Sequence, residues 1–366
     1  MKFADLLREH WPHYVAQAEG PIPPDHWRAV EAVLSCRTPR RGGHLYYCPD
    51  CSRTVYQFHS CNHRNCPQCG AADQQHWSAA QEARLLPVPY YLVTFTVPEA
   101  LRRHCLWHPR ELYDTLLTQS AQALRDLLGN PKYLGGECGF TAVLQTWTRR
   151  MLHHPHVHIL IPAVALSLEG CQLLHPPNEE FLVHVLALSA RIRHLFAERL
   201  LSRYPELHRQ IDPAVWDEEW VTDCRPAGRG RSAVRYLAAY VAKSAFNESR
   251  FSAYDERGRV LLRYKDSADA QWKSEPIQPR ELIRRWLLHV LPKGFVAVRH
   301  FGFLSPAAVR ALRRLRFLLG RGPVSKPERP SFSMPCSCCQ RPMILNARVP
   351  AVRGPPLSRE ILLHGA

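Results

Sequence analysis

The sequence predicts an α+β fold, and three observations predict it. Six of the thirteen cysteines fall between residues 36 and 69, a density that suits a small metal-organised module rather than an ordinary core. Beyond it, β-rich runs such as YYLVTFTV (90–97) and HVHILIPAVA (156–165) alternate with segments of helical composition such as 109–128. From about residue 321 the chain turns proline-rich and carries a further cysteine cluster. Three parts are therefore expected. Residues 1–86 form a helical stretch plus a zinc-binding domain, 87–320 form the larger sheet-and-helix domain, and 321–366 form a loose tail.

The elements follow in order. Phe3 to Ala18 reads as a helix, and Pro23-Pro24-Asp25 starts a second one running to about Leu34. Residues 71–86 are rich in helix formers and bridge to the prolines at 87 and 89. The run 90–97 is a strand, 109–128 a helix ended by Gly129-Asn130-Pro131, and 140–147 and 156–165 two further strands. His153 and His154 fall in the connection before the last of these. Residues 182–203 and 232–246 read as helices, 254–264 as a hairpin turning at 255–258, and 279–290 as a helix. No internal repeat is evident.

Composition narrows the function. With 48 Lys+Arg against 32 Asp+Glu the net charge is +16, which favours a polyanionic partner, most commonly nucleic acid, and excludes an acidic carrier. No stretch approaches 18 uninterrupted apolar residues and the first residues lack a signal-length apolar core, so no membrane partner is expected. The odd cysteine count argues against a disulfide framework and for reduced, partly metal-bound thiols in a cytoplasm.

Cys48-x2-Cys51 and Cys66-x2-Cys69 are two thiolate hairpins of the kind that close a tetrahedron around zinc. Cys36, His44, Cys61 and either His59 or His63 lie in the same window and supply enough ligands for a second zinc, unless they are packing or nucleic-acid-contacting residues. Arg37, Arg40, Arg41, Arg53 and Arg64 give the module a basic face suited to phosphate contacts. Cys336-x2-Cys339, with Cys338 between, either binds metal with help from elsewhere or is an exposed thiol cluster.

On a strand, residues two apart share a face, so His156 and His158 project together and offer a two-ligand metal site with open positions. Gln145, on the preceding strand, is the candidate third ligand if the two strands form a hairpin in the right register. Tyr236 and Tyr240, four apart on a helix, also share a face. Two phenols there are either packing residues or nucleophiles toward a metal-polarised phosphate, and Arg231, Arg235 and Lys243 flank them. Trp147, Tyr90, Tyr91 and Phe95 would stack unpaired bases if exposed, and otherwise belong to the core.

Taken in order, CRTPRRGGHLYYCPDC, SCNHRNCPQC, LLPVPYYLVTFTVP, GFTAVLQTWTRRMLHHPHVHILIP, RYLAAYVAK and LLHVLPKGFVAVRHFGFL resemble the two-tyrosine rolling-circle insertion-sequence transposases of the HUH endonuclease superfamily, over about residues 30–305. The resemblance implies an HUH-type antiparallel sheet flanked by helices, following a small N-terminal zinc-binding, DNA-recognising domain. It implies His156 and His158 as ligands of a catalytic Mg²⁺ or Mn²⁺, and Tyr236 and Tyr240 as paired nucleophiles. It also implies structural Zn²⁺ in the Cys36–Cys69 module. Two positions depart from the family pattern. Asn65 stands where relatives often have histidine, and the segment around Tyr240 reads YVAK in place of the more usual threonine-histidine-arginine continuation.

The function expected is nicking and rejoining of single-stranded element ends through 5′-phosphotyrosine links, in the bacterial cytoplasm and at the nucleoid when DNA-bound. The chain lacks a Gly-x4-Gly-Lys-Ser/Thr loop, so a host helicase and the replication machinery are expected partners. The competing readings are a non-enzymatic zinc-finger DNA-binding protein and a metal-dependent nuclease that activates water.

Overall fold

The computed structural model describes residues 1–178, 181–241, 245–266, 268–325 and 333–352. Helix α1 (Phe3–Ala16) buries Phe3, Leu6, Leu7 and Trp11, whose spacing lines one side of the helix. Pro24 opens α2 (Pro24–Ser35), where its missing N–H costs nothing and its fixed φ suits the first turn. Strands β1 (Gly43–Cys48) and β2 (Arg53–Phe58) form a hairpin. A Cβ at Gly43 would stand 2.3 Å from the Gln57 carbonyl oxygen, so no larger residue fits that close pairing. Helix α3 (Ala71–Arg84) then leads into the main sheet.

That region contains β3 (Tyr90–Thr96), α4 (Glu99–Trp107), α5 (Pro109–Leu128), β4 (Phe140–Trp147) and β5 (His153–Pro162). Next come β6 (Ala165–Leu166), β7 (Leu173–Leu174), α6 (Val185–Arg203), α7 (Pro205–Arg209), β8 (Thr222–Pro226) and α8 (Arg231–Val241). The remainder supplies β9 (Phe251–Tyr254), β10 (Val260–Lys265), β11 (Trp272–Ile277), α9 (Pro279–Leu287), β12 (Val298–Phe301), α10 (Val309–Leu318) and β13 (Ile344–Val349).

The main sheet has five antiparallel strands in the order β12-β4-β5-β3-β8, with β5 at its centre. Period-two alternation divides it. Val157, Ile159 and Ile161 of β5, with Phe140, Ala142 and Leu144 of β4 and Tyr91, Val93 and Phe95 of β3, face the core formed with α5 and α6. Leu160, Val143, Tyr90 and Leu92 face the opposite side, where Val234 and Leu237 of α8 and Leu312 and Leu315 of α10 cover them. Trp147, Tyr90, Tyr91 and Phe95 are all buried and are core residues, not an exposed base-stacking platform.

A separate core joins distant parts of the chain. Phe3 of α1 packs 4.8 Å from Phe246 and 5.0 Å from Trp286, centroid to centroid. The same cluster includes Val30 and Val33 of α2, Leu262 of the β9–β10–β11 sheet, and Cys36, Cys66 and Cys69. The N-terminal helices are thus seated on the segment around α9.

Two expectations are corrected. His153 and His154 begin β5 instead of lying in the connection, because Trp147 pairs with His153 across a register shift and the turn occupies 148–152. The described part of the tail is not loose, since β13 pairs antiparallel with β1 from Gly43–Val349 to Tyr47–Ile344. An unpaired β1 edge would leave its backbone donors and acceptors open, and the tail closes it.

Ile159 is fully buried at the sheet centre. Ile159→Ala is expected to lower unfolding free energy by about 2–5 kcal/mol in urea titrations, and a loss under about 1 kcal/mol would contradict this packing.

Candidate active site and metal centres

The face of the main sheet turned toward α8 carries the polar residues. In register, Gln145 of β4 and Thr96 of β3 both stand opposite His156, and Thr94 stands opposite His158. Cross-strand partners share a face, so Gln145, His156 and His158 converge. The imidazoles of His156 and His158 lie 4.7 Å apart. His156 Nδ1 is 2.7 Å from the His154 carbonyl, which can only accept, so Nδ1 carries the proton and Nε2 keeps its lone pair. His158 places Nδ1 3.0 Å from Thr94 Oγ1 and Nε2 3.3 Å from the Tyr236 hydroxyl. Burial pushes both histidines down, His156 to about 4 and His158 to about 3, so both are neutral lone-pair donors at pH 7. Gln145 donates Nε2 to the Trp147 carbonyl at 2.9 Å, while its buried Oε1 has no hydrogen-bond partner. An orphaned buried oxygen beside two neutral imidazoles is a donor set that fits a divalent cation.

Helix α8 crosses this face. Val234, Leu237 and Ala238 bury its apolar side and bring both phenols over the histidines. Tyr236 and Tyr240 lie 5.0 Å apart, and His158 is 5.4 Å and 6.1 Å from them, centroid to centroid. Tyr236 is 43% exposed. Tyr240 is more enclosed, 5.8 Å from the Trp147 ring, and burial followed by the neighbouring Tyr236 pushes its phenol up.

The cysteines gather differently from their spacing in the chain. Cys36, Cys61, Cys66 and Cys69 form one cluster and Cys48, Cys51, Cys336 and Cys339 another, with the four sulfurs of each within 4.8 Å of one another. Cys48-x2-Cys51 and Cys66-x2-Cys69 therefore do not share a site, which corrects the expected pairing of the two hairpins. Cys61 and Cys69 sulfurs, like those of Cys48 and Cys339, are 3.6 Å apart, close to the ~3.8 Å edge of a tetrahedron with 2.3 Å zinc–sulfur bonds. His44 and His63 belong to neither cluster. His44 stacks edge-on against His59, and His63 Nδ1 accepts from the Asn65 N–H at 3.2 Å.

Two models of known families match the chain: a putative transposase over residues 139–312 and a transposase zinc-binding domain over 6–97. A putative transposase, y4qJ, of Sinorhizobium fredii is 33% identical over 338 residues, covering 87% of this chain and 84% of its own. The transposase for insertion sequence element IS801 of Pseudomonas savastanoi pv. phaseolicola is 27% identical over 313 residues, covering 81% and 73%. The chain belongs to the IS91 family of insertion-sequence transposases. No solved structure matches. As a transposase it acts on DNA, by cleavage and strand transfer in general terms, and its zinc-binding domain and cysteine clusters support structural zinc. Among the described residues no helix is long and apolar enough to cross a membrane.

The basic residues of the transposase divide. Arg231 and Arg235 each reach Glu82 of α3 at 3.2 Å while remaining largely exposed. Arg37 is exposed, with φ +57° just after Cys36. Lys243 lies outside the described residues. Arg64 turns inward, and its Nη2 donates to the Tyr240 carbonyl at 3.4 Å, in the last described turn of α8. Burial lowers its guanidinium to about 10, leaving it charged at pH 7.

Its neighbour Asn65 donates Nδ2 to the His289 carbonyl at 3.0 Å and accepts from Trp286 Nε1 at 2.9 Å. His289 is itself held between Thr146 Oγ1 and the Met151 carbonyl, at 3.2 and 3.0 Å. The first cysteine cluster is thereby tied to the sheet and to the tyrosine helix. Of the residues the sequence reading passed over, Thr94 left a trace, as a polar position in the phase of the apolar β3 run that meets the histidines. Arg64 as a helix bracket left none.

Arg64→Ala is expected to cost about 1–2 kcal/mol in thermal or urea unfolding with zinc content unchanged, and Arg64→Lys less. Unchanged stability of the alanine variant would contradict the bracket.

Proposed function

We propose that this transposase nicks and rejoins single-stranded DNA at element ends through 5′-phosphotyrosine links, with Tyr236 attacking first and Tyr240 second. The observation that carries the reading is the 3.3 Å approach of the Tyr236 hydroxyl to His158 Nε2, over the face that also holds His156 and the unpaired Gln145 Oε1. His156 Nε2, His158 Nε2 and Gln145 Oε1 would hold Mg²⁺ or Mn²⁺. Such an ion supplies Lewis acidity at a phosphate oxygen and offsets the charge that develops there.

The chain's own residues account for the rest. Tyr236, the more exposed phenol, is open to a polynucleotide, whereas Tyr240 sits behind it against Trp147. The Tyr236 oxygen bonds to phosphorus as the P–O3′ bond breaks. The phenol loses its proton and the departing 3′ oxygen gains one, leaving a 5′-phosphotyrosine and a free 3′-hydroxyl. Rejoining is the reverse displacement by a 3′-hydroxyl, which needs no nucleotide hydrolysis because the phosphodiester bond energy is kept in the phosphotyrosine. Tyr240, one turn along α8, is available to cut a second strand while Tyr236 is occupied. Thr94 and the His154 carbonyl fix the two imidazoles, and His153 is held separately, its Nε2 2.8 Å from the Tyr113 hydroxyl.

Arg37, Arg231 and Arg235 are exposed cations that would contact the phosphate backbone and position the strand. Strand opening would come from a host helicase and the replication machinery, since the sequence contains no Gly-x4-Gly-Lys-Ser/Thr loop.

Labelled single-stranded oligonucleotide bearing the element's own terminal sequence, incubated with Mg²⁺ and run on denaturing gels, tests this. The wild type is expected to give a covalent adduct that Tyr236→Phe reduces roughly a thousandfold or more, while Tyr240→Phe still forms it. Cleavage without an adduct would instead support a water-activating nuclease, and retention without cleavage a DNA-binding protein. His158→Ala is expected to abolish the adduct with zinc content intact, and an undiminished adduct would contradict the metal face.

A further inference from the structure

The matched zinc-binding stretch ends at residue 97 and the matched transposase stretch at 312, so neither includes Cys336 or Cys339. Both thiols nevertheless complete a four-sulfur cluster with Cys48 and Cys51, which the zinc-binding stretch leaves without partners of its own. We propose that these four cysteines bind a second Zn²⁺ that staples the C-terminal segment to the N-terminal hairpin, so that the zinc-binding region is finished only when the far end of the chain arrives.

The two halves of this site are built alike. Each pair is Cys-x2-Cys, and each is followed by a residue in the left-handed region, Ser52 at φ +50° and Gln340 at φ +60°. In the first cluster, Arg37, Asn62 and Gly70 take the same backbone conformation just after Cys36, Cys61 and Cys69, at +57°, +51° and +93°. Both clusters therefore present cysteines from the same kind of left-handed turn. The Cys338 N–H points at Cys336 Sγ at 3.4 Å, a donor that favours a thiolate.

The sulfur spacing fits zinc and not a disulfide. Cys48 and Cys339 sulfurs stand 3.6 Å apart, against ~3.8 Å for two thiolates on one zinc and ~2.05 Å for a bonded pair. Contacts beyond the ligands are consistent with a built joint. Arg341 pairs with Asp50 at 2.8 Å, Arg53 Nη1 donates to Ser337 Oγ at 3.2 Å, and Met343 packs with Tyr46 around the buried Cys48 and Cys336. Cys338 is exposed and is not one of the four.

Cys51 and Cys336 are 285 positions apart, so this ion closes a very long loop and holds β13 along β1. Strand β13 is mostly exposed, with Ile344 and Leu345 turned to solvent, and little apolar burial would keep it in place without the metal.

Metal analysis of the full chain purified without chelator tests the proposal, and it does not depend on how the transposase cuts DNA. The wild type and Cys338→Ser are expected to hold two zincs, and Cys336→Ser/Cys339→Ser one. In that double variant, amide exchange over residues 344–349 should accelerate while α1 and α2 stay protected. One zinc in the wild type, or two in the double variant, would overturn the proposal. Should the double variant fail to fold, Co²⁺ exchange into the wild-type chain decides between two tetrathiolate sites, as expected, and one.

Discussion

A β-strand turns successive side chains to opposite faces, and in β5 that alternation separates two chemistries along one stretch of ten residues. Val157, Ile159 and Ile161 go into the core against α5 and α6, while His156 and His158 go to the other side, under α8. Everything at the candidate active site depends on the two flanking strands keeping this phase. The pairings Gln145–His156 and Thr94–His158 put the amide and the hydroxyl next to the imidazoles, and a one-residue slip of β4 would turn Gln145, or of β3 would turn Thr94, into the apolar core. The apolar face is fully packed, so such a slip is strongly opposed. The core thereby fixes the site.

The tyrosine helix is held from two sides. Val234 and Leu237 bury one stripe of α8 against the sheet, and Arg64, from the loop between Cys61 and Cys66, donates to the Tyr240 carbonyl. Asn65, Trp286 and His289 continue that connection into α9 and β4. The cysteine cluster at 36–69 is therefore more than a separate recognition module hung on the front of the chain. Arg64 in its loop donates one hydrogen bond directly to the backbone that carries the second phenol, and the seating of α1 on α9 adds apolar contact to the same joint.

Much of this was legible in the sequence where local signals suffice. The helix at 109–128 and the strand at 140–147 have the boundaries that their capping residues, prolines and β-rich composition indicate. Gln145 was named on the condition of a hairpin in the right register, a condition that only the observed Gln145–His156 pairing supplies. What the sequence hid is long-range. Cys48-x2-Cys51 and Cys66-x2-Cys69 look like one site because they are near in the chain, but their sulfurs sort by folding into separate clusters. The partner of Cys48 and Cys51 lies beyond residue 335, in a segment whose prolines suggested a loose tail. Arginine-rich spacing likewise indicated phosphate contacts for Arg64, and no local pattern distinguishes an arginine facing DNA from one that faces a helix carbonyl.

In the proposed mechanism one sheet face presents two imidazoles to a divalent cation beside a nucleophilic phenol. Pulsed electron paramagnetic resonance of Mn²⁺ bound to the intact zinc-loaded protein measures this directly, through the nitrogens coupled to the metal. Two coupled imidazole nitrogens are expected, falling to one in His156→Ala and in His158→Ala. A Mn²⁺ signal with no imidazole coupling, or coupling that both substitutions leave unchanged, would contradict the account.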